Sequence, residues 1–310
     1  MKPINLAAID IGSNGARLLI KRFDGSAKTA ADRIEKLLFV RVPLRLGKDV
    51  FTLGKVSKER RRMMIQMMKG FKHFLKFYKV TDFRACATSA MRDAENGKEV
   101  LEEIEKKTGI KLEIIGGHEE ANLLYNNLLE KTDSHVGNFA YIDVGGGSTE
   151  VSLIHDGVLA ESVSYDMGTL RLLSGQVTPE TEDLFKSNLT RYAADYGSIH
   201  IIGSGGNINK LNKIARHEPG QDPKELSLDE LKRLYSVLSG LCIRDRQAIF
   251  GLKDDRADVI VPAADIFIRA CDYLKCDTIL VPNISLADSI VDGLYEELFA
   301  DIAPEDKDKY

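Results

Sequence analysis

Short runs of alternating or continuous apolar residues appear twice along the chain in one arrangement, run, turn and run. The first copy is Leu6 to Ile11 followed by Arg17 to Phe23. The second is Phe139 to Asp143 followed by Glu150 to His155. Each reads as two strands around a tight turn. Asp10 and Asp143 stand at the same offset as Gly12 and Gly145. A duplicated Asp-x-Gly turn implies two related lobes whose turns face each other. Turns rich in backbone N–H groups, so placed, would clamp an oligophosphate and its metal.

The rest of the pattern fills out both lobes. Leu37 to Leu46 reads as a strand interrupted by Arg41, Pro43 and Arg45. Ser57 is a suitable N-cap for a helix running to Tyr78, with Met64, Met67, Met68, Phe71, Phe74 and Leu75 at helical spacing as its core face. Phe83 to Thr88 and Leu112 to Ile115 read as strands. Gly97 to Thr108 is an amphipathic helix ended by Gly109, and Glu119 to Leu129 is another helix. The polar stretch from Glu130 to Asn138 places a domain boundary, giving lobes 1–132 and 133–310. The second lobe continues with a strand from Val158 to Tyr165, a helix from Pro179 to Asp195, a strand from Ser198 to Ile202 and a helix from Asn207 to Ala215. Helices from Ser227 to Leu241 and Ala257 to Leu274, a strand from Thr278 to Val281 and a helix from Leu286 to Phe299 complete it. The expected class is α/β: two lobes, each a mixed five-stranded sheet flanked by helices, with a cleft between them and the last helix available to pack back on the first lobe.

Composition narrows the function. With 310 residues, 44% of them hydrophobic, each half can bury a core. A net charge of −4 argues against a dedicated nucleic-acid binder, so a polyanionic ligand needs a locally basic cleft. The four cysteines show no C-x-x-C spacing, and no histidine completes a zinc set, so free thiols are expected. An acid arrives too early for a signal-peptide core, and no apolar run approaches the roughly 20 residues of a membrane span. A soluble, cytoplasmic protein with a frayed polar tail is expected.

The candidate chemistry gathers at strand ends. Asp143-Val144-Gly145-Gly146-Gly147-Ser148-Thr149-Glu150 sets three glycines and two hydroxyls between two acids. Such a turn brings N–H donors close to an anion. Asp10, Asp143 and Glu150 can ligate the Mg²⁺ that a polyphosphate carries, although an Asp at such a turn also serves as a plain cap. The loop from Cys86 to Gly97 offers Ser89 and Arg92 to a phosphate. Gly116-Gly117-His118-Glu119-Glu120-Ala121 opens a helix, where its glutamates suit the helix dipole or supply a general base. Gly203-Ser204-Gly205-Gly206-Asn207 opens another, in a position that meets base or ribose in nucleotide-binding two-lobed folds. The run from Lys58 to Arg62 reads as a solvated helix face, or less readily as a phosphate-guiding patch.

At these residues the chain resembles the exopolyphosphatase/guanosine pentaphosphate phosphohydrolase (Ppx/GppA) family, of the actin-like, sugar-kinase superfamily with ribonuclease H-like lobes. The matching pieces are Asp10-Ile11-Gly12-Ser13-Asn14, Ala87-Thr88-Ser89-Ala90-Met91-Arg92, Gly117-His118-Glu119-Glu120-Ala121, Ile142 to Glu150, Met167-Gly168 and Gly203-Ser204-Gly205, in the family's order. The Thr-Ser-Ala-x-Arg and Gly-x-Glu-Glu-Ala pieces are the specific ones. The resemblance implies that Glu120 is the general base and that Asp143 and Glu150 hold Mg²⁺ and position the water. It implies that Ser13, Asn14, Arg17, Ser89, Arg92, Gly145, Gly146, Gly147 and Ser148 cradle phosphates, with Gly205 also at the substrate. Gly15 stands where the family often has a hydroxyl residue, the threonine after Ser204-Gly205 is missing, and Val261-Pro262-Ala263-Ala264 replaces a Pro-Ala-Gly. Longer members carry an additional C-terminal helical region, so short polyphosphate and distributive cleavage are expected here.

The implied activity is release of a terminal phosphate from inorganic polyphosphate or guanosine pentaphosphate. Two other readings stay open: a small-molecule kinase of the same superfamily, and a non-catalytic sensor of guanosine tetraphosphate, guanosine pentaphosphate or polyphosphate. A homodimer is compatible with the sequence.

Overall fold

The computed structural model describes residues 3–26, 33–117, 119–120, 122–124, 137–218, 220–282 and 285–299. The expected boundary at Glu130 to Val136, the end of the helix expected from Glu119 to Leu129, His118 and the tail lie outside them.

Two sheets organise the chain. In the first, β1 (Ile4–Ile11), β2 (Ala16–Phe23), β3 (Ile34–Val42), β4 (Asp82–Ala87) and β5 (Glu113–Ile114) lie in the order β3-β2-β1-β4-β5. β1 is antiparallel to β2 and parallel to β4. In the second, β6 (Asn138–Val144), β7 (Thr149–His155), β8 (Val158–Tyr165), β9 (His200–Ser204), β10 (Glu225–Ser227) and β11 (Thr278–Leu280) lie in the order β10-β11-β9-β6-β7-β8. The plan is the same: an antiparallel hairpin continued by a parallel strand. The second sheet has six strands, not the five expected. The extra one is β10, three residues paired antiparallel with β11, too short to show alternation.

The segment expected as one strand from Leu37 to Leu46 divides. β3 ends at Val42, before Pro43, and a helix runs Leu46–Leu53. Arg45 turns the chain with a left-handed φ of 52°. Its N–H and that of Gly47 donate to the carbonyls of Asn14 and Ser13 at 2.9 and 2.8 Å. The first glycine turn thus organises this helix, which buries Leu46, Val50 and Phe51. The short helices Ser89–Asp93, Thr169–Leu173 and Ile243–Phe250 carry too few turns for a sequence period to declare them.

Each sheet has its own core, and a third cluster joins them. Leu6, Ala8 and Leu19 of the first sheet and Tyr141, Ile154 and Ile202 of the second pack with Leu286, Ala287, Ile290 and Val291. Those last four belong to the helix Leu286–Phe299, which lies against β1, β2 and β4. Its polar anchor is buried: Lys21 Nζ lies 3.1 Å from Asp288 and 2.7 Å from Asp292. The Phe23 and Tyr295 rings stack at 4.3 Å. All four cysteines are free. Among the described residues no helix is long and apolar enough to cross a membrane.

Candidate active site

The strand-to-strand turns of both hairpins meet at one cleft. Each turn is closed in the same way, Gly12 N–H to the Gly15 carbonyl at 3.1 Å and Gly145 N–H to the Ser148 carbonyl at 3.0 Å. The glycines of the second turn serve close approach rather than left-handed backbone. A Cβ on Gly146 would come within 2.9 Å of Ser13 Cβ, and one on Gly147 within 2.6 Å of Ser89 Oγ. Ser13 Oγ and Ser89 Oγ are themselves 2.8 Å apart. Gly205 is the exception: its φ is +106°, and a Cβ there would meet Asp143 Oδ1 at 2.9 Å.

The acids differ between the two copies. Asp10 is paired in register with Arg17 and forms a buried ion pair with it. Asp143 is paired in register with Glu150 instead. Glu120 joins them from the helical turn after Gly117, so that one oxygen from each of Glu120, Asp143 and Glu150 lies within 4.8 Å of the others. Ser164 Oγ donates to Glu150 Oε1 at 2.9 Å. Glu120 Oε2 is buried with no hydrogen-bond partner.

Desolvation and mutual repulsion dominate these groups. Burial, then Glu150 and Asp143, push Glu120 well above the ordinary carboxylate range. Burial and Asp143 push Glu150 up to about 7. Burial pushes Asp143 up to about 6, with Arg17 opposing. Three clustered carboxyl groups, two of them buried, with an orphaned oxygen are an arrangement a metal cation can complete. The donor set, all hard carboxylate oxygen, fits a divalent ion.

Most of the expected site residues come together. Ser13, Asn14, Arg17, Ser89, Gly145, Gly146, Ser148, Gly205, Asp10, Asp143, Glu120 and Glu150 all line the cleft. Asp10, expected among the metal ligands, is outside the three-acid group and engaged with Arg17. Gly147 and Arg92 do not line the cleft. The Gly147 carbonyl accepts from Arg171 Nε at 2.7 Å. The helix Ser89–Asp93 carries Arg92 behind the acids, where its guanidinium donates to the Ile115 carbonyl at 3.2 Å and eases the charge on Glu120 and Glu150.

Two cleft arginines were not among the candidates. Arg41 lines it from β3, 2.5 Å from Asp255. Arg256 lines it from the short helix Asp254–Ala257, its pKa lowered by burial and then by Arg41. Arg41 left a trace as a cation interrupting an apolar run. Arg256 left none, because Asp254-Asp255-Arg256 reads as an ordinary charged surface turn.

Residues 27–297 match the model of the Ppx/GppA phosphatase family. The chain is 27% identical to a bifunctional 3-dehydroquinate synthase/phosphatase of Fusobacterium nucleatum, over 93% of this chain and 46% of that protein. It is 25% identical to exopolyphosphatase 1 of Mycobacterium bovis, over 93% of this chain and 87% of the relative. It is 26% identical to a guanosine-5'-triphosphate,3'-diphosphate pyrophosphatase of Aliivibrio fischeri, over 96% and 60% respectively. The chain therefore spans between about half and nine-tenths of these relatives. In fold it is similar to the crystal structure of an exopolyphosphatase from Cytophaga hutchinsonii, with a TM-score of 0.81 over 96% of this chain and 98% of that one, at 23% identity.

Proposed function

The chain belongs to the Ppx/GppA phosphatase family, and on that premise we propose that it is a Mg²⁺-dependent phosphohydrolase. Its substrate is the terminal phosphate of short inorganic polyphosphate or of guanosine pentaphosphate, and it works in the cytoplasm as a two-lobed enzyme divided near residue 132. The observation that carries this reading is the group Glu120, Asp143 and Glu150, two buried acids and one half-buried, in a cleft also lined by Ser13, Ser89 and both glycine turns.

Asp143 and Glu150 would hold the ion, with Glu120 beside them. Mg²⁺ bound there supplies positive charge that ionises the acids and offsets the phosphate oxygens. Ser13, Asn14, Ser89 and Ser148 offer hydroxyl and amide donors to the phosphate, joined by N–H groups of the glycine turns. Arg17, Arg41 and Arg256 face its charge. Glu120 accepts the proton of the water that attacks the terminal phosphorus in line, and the shortened chain or nucleotide leaves as the phosphate anion. No covalent nucleophile is required, since phosphoryl transfer is chiefly positioning and electrostatics.

The test is phosphate release from tripolyphosphate, long polyphosphate and guanosine pentaphosphate, with Mg²⁺ and with chelator. Release from at least one, in Mg²⁺ alone and with water as sole acceptor, is expected. A requirement for another acceptor would make the protein a kinase, and tight binding without turnover would make it a sensor.

A further inference from the structure

Beside the cleft lies a second concavity. The two share Arg41 and Arg256 in their walls. The second is lined further by Lys210, Lys213, Lys224 and Lys253, and no carboxylate lines it. Six cations thus converge in a chain of net charge −4. Arg41 is paired with Asp255. Among the described residues, Arg256 and the four lysines make no ion pair. Lys210 donates to the Phe250 carbonyl at 2.9 Å, which fixes its head in place. Burial, then Lys213 and Arg256, lower its pKa. Asp255 is the carboxylate that offsets Arg41 and Arg256; six cations set against it repel one another, and an anion relieves that repulsion.

The path from the acids to this shelf is continuous. The helix Gly206–Ile214 starts at the cleft, where Gly206 and Asn207 line it, and about one and two turns later Lys210 and Lys213 line the shelf. At the junction a Cβ on Gly206 would lie 2.9 Å from the Arg256 guanidinium and 3.9 Å from that of Arg17. A chain of phosphates with its end at Glu120 would therefore meet Arg17 and Arg256 before reaching the lysines.

We propose that this lysine shelf binds the phosphates distal to the one removed, and that it sets the chain length of inorganic polyphosphate the protein prefers. Pro223 and Val281 are the apolar residues of its lining, and no aromatic ring is among them. A shelf of point charges without a stacking surface suits a uniform polyanion better than a nucleobase. It lengthens the grip by a few phosphates, so the optimum lies above tripolyphosphate, while dissociation between cleavages on long chains remains expected.

The proposal rests on the phosphohydrolase reading above, and its test separates the two. The triple variant Lys213→Ala/Lys224→Ala/Lys253→Ala removes three cations that do not line the cleft. KM for a medium-length polyphosphate should rise about tenfold or more, equivalent to about 1.4 kcal/mol of binding. The kcat should hold, and KM for tripolyphosphate should move less than about twofold, because only the longer chain reaches the shelf. An equal rise for both substrates, or for neither, overturns the shelf. So does a loss confined to guanosine pentaphosphate, which would give the lysines to the nucleotide. Calorimetric binding of the same medium-length polyphosphate to the wild type and the variant is the second arm. If no substrate is turned over, the phosphohydrolase reading fails. Binding that the variant loses then still supports the shelf, and equal or absent binding refutes it.

Discussion

Glu150 stands across the β6–β7 ladder from Asp143, at the position where Arg17 stands across β1–β2 from Asp10. One duplicated hairpin has thus acquired opposite electrostatics in its two copies. In the first, acid and base cancel within the ladder. In the second, two acids are forced together, and Glu120 arrives from another element as a third. The asymmetry leaves the group of acids that could hold a cation at the second turn, although both turns carry the same Asp-x-Gly.

The acid group makes metal-free stability fall as pH rises. Asp143 and Glu150 have folded-state pKa values raised to about 6 and about 7, against 3.8 and 4.5 ordinarily. Raised carboxylate values mean that the folded state binds the extra protons. Their contribution is full below the ordinary carboxylate range and is lost as pH climbs through the raised values. Melting in chelator should show Tm declining across that window. Added Mg²⁺ should recover it, by more at the alkaline end. A Tm in chelator that is flat or rising there would contradict the arrangement.

Neighbouring glutamates should behave differently. Glu119 is exposed and ion-paired with Arg84 at 2.6 Å, whereas Glu120 is buried at the acids. Glu120→Gln should slow phosphate release by about 10²–10⁴-fold with the fold retained, the range of a lost general base. Glu119→Gln should leave the rate within about twofold, as expected for an exposed pair. Steady-state rates with circular dichroism decide it, and a large effect at Glu119 would reverse the assignment.

Gly168 and Gly116 offer a matched pair. A Cβ on Gly168 would lie 2.5 Å from the backbone of Gly146 and Gly147, which cannot move without shifting the turn. A Cβ on Gly116 would meet nothing within 4 Å. Gly168→Ala should cost about 1–3 kcal/mol or more in urea unfolding, as overpacking does, and Gly116→Ala no more than about 0.5 kcal/mol.

Lys21 should anchor the C-terminal helix. Its side chain is 5% exposed between Asp288 and Asp292. Lys21→Ala leaves two carboxylates poorly compensated and should cost about 3–5 kcal/mol, the usual penalty for breaking a buried pair from one side. Adding Asp292→Asn should return part of that loss. Urea melts of the single and double variants test it, and a double variant less stable than the single would contradict the pairing.

The sequence disclosed those features that local chemistry repeats. The strands β1, β2, β6 and β7 were legible because alternation and continuous apolar runs report burial directly. The turns were legible because their glycines and acids recur at one offset. The helix from Ser57 was marked by its cap and its methionine face, and observed as Lys58–Phe77 with Ser57 accepting from Arg60 N–H at 3.2 Å. β10 and the helix Leu46–Leu53 were not legible, since both draw their stability from partners far along the chain.

What the sequence determined by itself was the duplicated frame and the residue types that face the cleft. Only the tertiary structure decided which acid keeps a counter-charge and which does not. Asp10 and Asp143 share the local pattern Ile-Asp-x-Gly, and the difference lies in the residue across the ladder and in Glu120 from a separate helix. It also brought Arg41 and Arg256, from opposite lobes, onto one wall beside the lysines of a third segment. Electrostatic fields sum over distance in space, while the sequence records only neighbours along the chain, so a basic basin in an acidic protein appears only when the chain is folded.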